Sequence, residues 1–186
     1  MINHLIGDSV LPASPIPTSA NLVKVKKTDS DYAKIYYHHQ YPVFIPAPYD
    51  EDKVREWCKD RDVYSVEIGR SNMDKDVSIL DTPGVDSTDD AHRLSTESAL
   101  HLADAVFYVM DYNHVQSQVN FEFTRELSLH GVKQYLVINQ IDKHNETEIS
   151  FETFKTAVKD AFRSWGVEPE GIFYTSLRKP DMEGND

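Results

Sequence analysis

Two near-continuous apolar runs, Ala105-Val106-Phe107-Tyr108-Val109-Met110 and Tyr135-Leu136-Val137-Ile138, constrain the fold more than any other feature. A strand with water on one face alternates apolar and polar residues. A run that is apolar throughout fits a strand covered on both faces, as in a parallel sheet. Parallel strands need a crossover of a dozen or more residues. A helical stretch from about Val115 to His130, closed by Gly131, provides one. A second crossover follows, because Phe151, Phe154, Val158, Ala161, Phe162 and Trp165 recur at three and four, an apolar helix stripe ended by Gly166. Ile172-Phe173-Tyr174-Thr175 reads as a last short strand. Strand, helix, strand, helix, strand predicts βαβ units and an α/β fold. In such sheets ligands sit at the carboxyl ends of strands.

The first half is patterned differently. Asn3 to Gly7 reads as the last turn of a helix, with Gly7 where a left-handed residue is wanted. A proline-punctuated loop follows from Leu11 to Ala20. Residues 22–26 and 32–37 alternate as strands across a turn at Thr28-Asp29-Ser30. Asp50-Glu51-Asp52 opens a short helix through Val54, Trp57 and Cys58, with acids where the helix dipole favours them. Residues 63–68 and 77–80 read as strands joined by a turn over residues 69–76. Residues 86–90 form an acidic lead into a helix from Ala91 to Ala103.

Composition removes several function classes. Hydrophobic residues make up 40% of the 186, enough for a core, so a disordered chain is excluded. The net charge of −12 argues against a general nucleic-acid surface, though not against a small phosphate pocket. Cys58 is the one cysteine, which rules out an intramolecular disulfide and a multi-cysteine metal site and points to a reducing compartment. It lacks an identifiable base partner and reads as a packing residue. The eight histidines show no ligand spacing. No apolar run approaches the ~18–20 residues of a membrane span, and the first residues lack the features of a signal peptide.

Four polar clusters fall at strand ends or in the proline loop. Asp81-Thr82-Pro83-Gly84 follows the strand over 77–80. A carboxylate there can hold Mg²⁺, and a glycine three residues on lets its backbone N–H reach a terminal phosphate. An ordinary Pro-Gly turn has the same local look. Asn139-Gln140-Ile141-Asp142 follows the strand over 135–138. An ionised Asp offers two acceptor oxygens to the adjacent N–H donors on one edge of guanine, a donor pair that adenine lacks. A polar turn reads equally well, and Gln140 stands where lysine is usual. Thr18 is a candidate for the threonine that meets Mg²⁺ and positions an attacking water, or simply a loop residue. Thr175-Ser176 lines a base pocket or merely ends a strand. Together, the order of threonine loop, Asp-x-x-Gly, Asn-x-x-Asp and small polar residue is that of the GTPase motifs.

On these residues, with Ile2-Asn3-His4-Leu5-Ile6-Gly7 and the long stretch between the threonine loop and Asp81, the chain resembles a GTPase domain of the dynamin superfamily, specifically the bacterial dynamin-like proteins related to mitofusins. The resemblance covers nearly the whole chain. It implies a P-loop GTPase-like three-layer α/β/α domain with a dynamin-type insert, of which residues 1–186 are part. It also implies GTP binding, Mg²⁺-dependent hydrolysis and G-domain dimerisation coupled to membrane fusion or remodelling, in a cytoplasmic protein peripheral to the membrane. No nucleic-acid partner is expected. Residue by residue, it makes Thr18 the catalytic switch I threonine and a metal ligand. Asp81 and Gly84 become the switch II metal and γ-phosphate positions, Asn139 and Asp142 the guanine motif, and Ser176 a looser match to the last nucleotide loop.

One element of that pattern is missing. No glycine is followed by lysine, so the phosphate-binding loop G-x-x-x-x-G-K-[ST] is absent, and with it the fold's first strand. In the family both precede the helix ending at Gly7. The chain is therefore expected to be an internal piece of a G domain that binds GTP weakly and barely hydrolyses it, in contrast to its parent. The rival expectation is a nucleotide-independent pseudo-GTPase that docks a partner through the same face.

Overall fold

The computed structural model describes residues 1–11, 21–74, 77–82, 100 and 102–186. Two compact units divide the chain, Met1–Leu102 and Ala103–Asp186. Thr18, Gly84 and most of the helix expected over Ala91–Ala103 lie outside the described residues.

In the first unit, α1 (Ile2–Ile6) ends on Gly7 in the left-handed region at φ 74°. Asn3 secures the chain beyond it: its Oδ1 accepts from the Val10 and Leu11 amides at 3.0 and 2.7 Å. Strands β1 (Leu22–Lys27), β2 (Tyr32–Tyr37), β3 (Val43–Pro46), β4 (Val63–Arg70) and β5 (Ser78–Asp81) form one sheet ordered β3-β2-β4-β1-β5. Strands β1 and β4 are parallel; the other pairs are antiparallel. Alternation buries Val23, Val25, Ala33, Ile35, Val66 and Ile68 on one face. There they meet Val54 and Cys58 of α2 (Glu51–Lys59). Asp50 caps α2 by accepting from the Lys53 amide at 2.8 Å. At its other end Asn21 Nδ2 donates to the Trp57 and Asp60 carbonyls.

The sequence pattern puts β1 and β2 on either side of a turn; the sheet puts β4 between them. That turn crosses over the end of β4. The Thr28 amide donates to the Arg70 carbonyl at 3.0 Å, and Asp31 accepts from the Arg70 guanidinium and from the Ser71 amide and hydroxyl. Gly69 makes the close crossing feasible, because a Cβ there would lie 2.5 Å from both Thr28 Oγ1 and Tyr32 Cε1. The Ser71 hydroxyl and Arg70 hold the Asp31 carboxyl below its ordinary value, against the opposing effect of burial. Its contribution to stability is complete above the ordinary value of 3.8 and fades as pH falls through the depressed one. The short β3 was not legible in the sequence, since Pro42 and Pro46 bracket it.

Cys58 is fully buried, and burial, reinforced by the Asp81 carboxylate, pushes its thiol up to about 12. Only thiolate reacts with disulfide reagents. Native protein at pH 8 should therefore be labelled at least ~10³-fold more slowly than denatured protein, read by release of the reagent's chromophore. Comparable rates would show Cys58 to be accessible.

The second unit is the βαβ series. Strands β6 (Val106–Asp111), β7 (Gln134–Asn139) and β8 (Gly171–Thr175) are parallel and adjacent in that order. Helices α3 (Gln118–Leu129) and α4 (Phe151–Ser164) supply the crossovers. Ser117 and Ser150 cap their starts, and Gly131 and Gly166, at φ 68° and 74°, follow their ends. Phe121, Val158 and Phe162 of the helices pack on Met110, Leu136, Ile138 and Tyr174. The apolar run of β6 predicts cover on both faces, yet Phe107 and Val109 are 60% and 45% exposed. Both helices pack on the face bearing Tyr108 and Met110, so the alternate residues point away from them. Phe107 stacks on Tyr135 instead, at 4.9 Å between ring centroids. Among the described residues, no helix is long and apolar enough to cross a membrane.

Candidate functional site

Parallel register decides which residues meet. Asp111, Asn139 and Thr175 end their strands side by side, since Asp111 pairs with Asn139 and Asn139 with Thr175. The chain turns sharply after each. After β6, residues Tyr112–His114 form one 3₁₀ turn, which Asp111 caps by accepting from the Asn113 amide at 2.9 Å. After β7, Gln140 takes the left-handed conformation at φ 68° and leads into a second 3₁₀ turn, Ile141–Lys143. Ile141 is fully buried and anchors that turn to the core.

The turn presents Asp142 to the loop after β8. Ser176, 1% exposed, donates from Oγ to Asp142 Oδ1 at 2.7 Å and accepts from the Lys179 amide at 3.1 Å. The hydroxyl proton is thereby committed to the carboxylate. No other described residue bonds the Asp142 carboxylate through its side chain. One strand over, Thr175 Oγ1 donates to Asn139 Oδ1 at 3.2 Å, so the asparagine braces β7 against β8. Lys143 reaches back to Asp111 Oδ2 at 3.0 Å. Burial pushes the Asp111 carboxyl up, but the Asn113 amide and the Lys143 ammonium outweigh it and hold the group below its ordinary value.

A cleft of about 330 Å³ opens beside these groups, lined by Asn139, Gln140, Asp142, Lys143, Leu177 and Arg178. That is the lower end of the range for small-molecule sites. It combines an acceptor carboxylate, an apolar wall at Leu177 and two cationic side chains. A flat ring with two adjacent N–H donors on one edge matches that carboxylate.

The structure thus brings together three of the residues singled out by sequence: Asn139, Asp142 and Ser176. Asp81 closes β5 in the other unit, in register with Val23. Thr18 and Gly84 lie outside the described residues. Sequence reasoning did not find Asp111, Tyr112, Leu177 or Arg178. Asp111 had a signal: in a parallel βαβ series the residue ending the previous strand lies next to the one ending the next.

The sequence profile of the Dynamin family matches residues 1–142. "Dynamin-like protein A" of Bacillus subtilis (strain 168) is 40% identical over 188 residues, covering 100% of this chain and 16% of that protein. "GTPase Der" of Nautilia profundicola is 25% identical over 105 residues, 55% of this chain and 23% of that protein. Among solved structures, a bacterial dynamin superposes with a TM-score of 0.65 at 17% identity, covering 94% of this chain and 31% of that one. It belongs to an oligomerised pair described as providing a mechanism for the long-range sensing and tethering of membranes. The chain therefore spans a small part of the proteins it matches.

Proposed function

Because the chain belongs to the dynamin family, we propose that residues 1–186 are part of one G domain and hold the guanine-selecting side of a GTPase site. The observation that carries this reading is the Asp142 carboxylate, held by the Ser176 hydroxyl at 2.7 Å at the edge of the cleft. Asp142 accepts from the two N–H donors on the guanine edge. Asn139 and Ser176 keep its loop in place. Gly84 bonds the γ-phosphate through its backbone, and Thr18 orients the attacking water.

Mg²⁺ prefers hard oxygen donors, and an aspartate at the carboxyl end of a strand is of that kind. Asp81, with the Thr18 hydroxyl, would hold the ion. When bound, it would offset charge on the β- and γ-phosphates. The whole protein is proposed to couple GTP hydrolysis to membrane remodelling or fusion, to self-associate through its G domains, and to meet the membrane peripherally through regions beyond this chain. The relatives support this, since one is a dynamin-like protein and another an oligomerised dynamin pair described with membrane tethering.

Titration of GTP and ATP, each with Mg²⁺, into the full-length protein tests the reading. A guanine preference of about a hundredfold or more is expected, from charge-assisted hydrogen bonds to one carboxylate. Equal affinity for the two nucleotides would remove Asp142 from its role.

A further inference from the structure

Resting on the guanine reading above, we propose that Tyr112 and His144 are positioning residues that set Asp142 for base recognition. They do so by locking the turn after β7 to the turn after β6. Two rungs join these turns. The outer one is the Lys143–Asp111 ion pair at 3.0 Å. Its side chains are 39% and 29% exposed, and a pair so hydrated holds geometry weakly. The inner rung is different. His144 Nδ1 lies 2.8 Å from the Tyr112 hydroxyl, and the imidazole is only 6% exposed.

Rings from α4 enclose that inner rung. Phe151 and Phe154 lie 5.0 and 5.8 Å from the imidazole, and Phe154 packs on Tyr112 at 4.7 Å. His144 Nε2 has no hydrogen-bond partner among the described residues, and Glu146 Oε1 stands 3.6 Å away. The tautomer with its proton on Nε2 suits both sides. Nδ1 then accepts the Tyr112 hydroxyl proton, and the Nε2–H faces the Glu146 carboxylate.

The backbone carries this constraint to Asp142. The His144 amide donates to the Ile141 carbonyl at 2.9 Å, and the Lys143 amide to the Gln140 carbonyl at 3.1 Å. Asp142 therefore sits in a single turn pinned at one end by buried Ile141 and at the other by the enclosed imidazole of His144. Ser176 fixes the carboxylate, and the Tyr112–His144 bond fixes the backbone that bears it. Bidentate recognition tolerates displacements of only ~0.5 Å. Loosening the inner rung should therefore erode discrimination rather than general affinity.

Tyr112→Phe deletes one hydroxyl and keeps the ring packing. Its readout is the ratio of GDP to IDP affinity in the full-length protein, since inosine lacks the 2-amino group and its loss reports on Asp142 placement. ADP serves as the reference for guanine selectivity. The variant should lower the GDP:IDP ratio about tenfold while leaving IDP affinity within about threefold. His144→Asn, which keeps a polar atom near the Nδ1 position, should retain more of the ratio than His144→Ala. An unchanged ratio in Tyr112→Phe, or an equal loss for both nucleotides, would overturn the positioning role while leaving guanine recognition standing. A wild-type protein that does not prefer GDP to ADP would overturn the guanine reading, and this inference with it.

Discussion

Asp142→Asn in the full-length protein should weaken GDP binding by about a hundredfold and turn the preference towards xanthosine nucleotides. The Asp142 carboxylate is acceptor-only when ionised, and Ser176 Oγ occupies Oδ1 at 2.7 Å. An asparagine amide can keep that bond by turning its carbonyl oxygen to Ser176. Its NH₂ then faces the base. Against guanine this sets donor against donor, and the lost charge-assisted bonds cost about 2–3 kcal/mol. Against xanthine, whose 2-position carries a carbonyl oxygen, the same NH₂ finds an acceptor. Competition titrations with GDP and XDP measure the exchange. GDP retained at its full margin would show that Asp142 does not read the base, however well Ser176 holds it. Ser176→Ala should act in the same direction as a loss of affinity, but without the switch to xanthine, because the carboxylate itself survives.

The second large effect concerns the support beneath the site. Phe162 is fully buried and meets Phe121 edge-on at 4.9 Å, while Phe121 stacks on Trp165 at 5.1 Å. Truncating such a residue to alanine costs about 3–5 kcal/mol, from lost transfer energy and the cavity left behind. Against a total stability of about 5–15 kcal/mol, Phe162→Ala should lower the unfolding midpoint of the second unit by roughly 15–30 °C. The two tryptophans allow each unit to be followed separately. Trp165 packs against the core of the second unit, and Trp57 against the core of the first. In a Trp57→Phe background, emission from Trp165 isolates the loss. A shift of only a few degrees would mean that the surrounding rings close over the cavity.

Much of this was legible without coordinates, for identifiable reasons. Helix limits in the second half are local matters. Gly166 closes α4, and the apolar stripe before it has the helix period. The αL glycine after α1 and the Asp50 cap on α2 follow from backbone sterics and a single side chain. The positions of Asn139 and Asp142 at a strand end came from the same reading, because an apolar run stops where the polar motif begins. Other features were not local. The cover of β6 is one, since the identities of Phe107 and Val109 do not reveal that both crossover helices pack on the opposite face. The insertion of β4 between β1 and β2 depends on Gly69, Thr28 and Asp31 meeting across a turn, contacts spanning about forty residues of sequence.

By itself, the sequence determined the βαβ succession, the glycines that close the helices, the order of the polar clusters and the acceptor character of the Asp142 carboxylate, because each depends on residue type and short-range spacing. Tertiary structure alone decided the strand orders, the bond from Ser176 to Asp142, and the burial of His144 against Tyr112. Those depend on residues between about thirty and forty positions apart being brought within 3 Å, and only the packing of the whole sheet and its helices sets such distances.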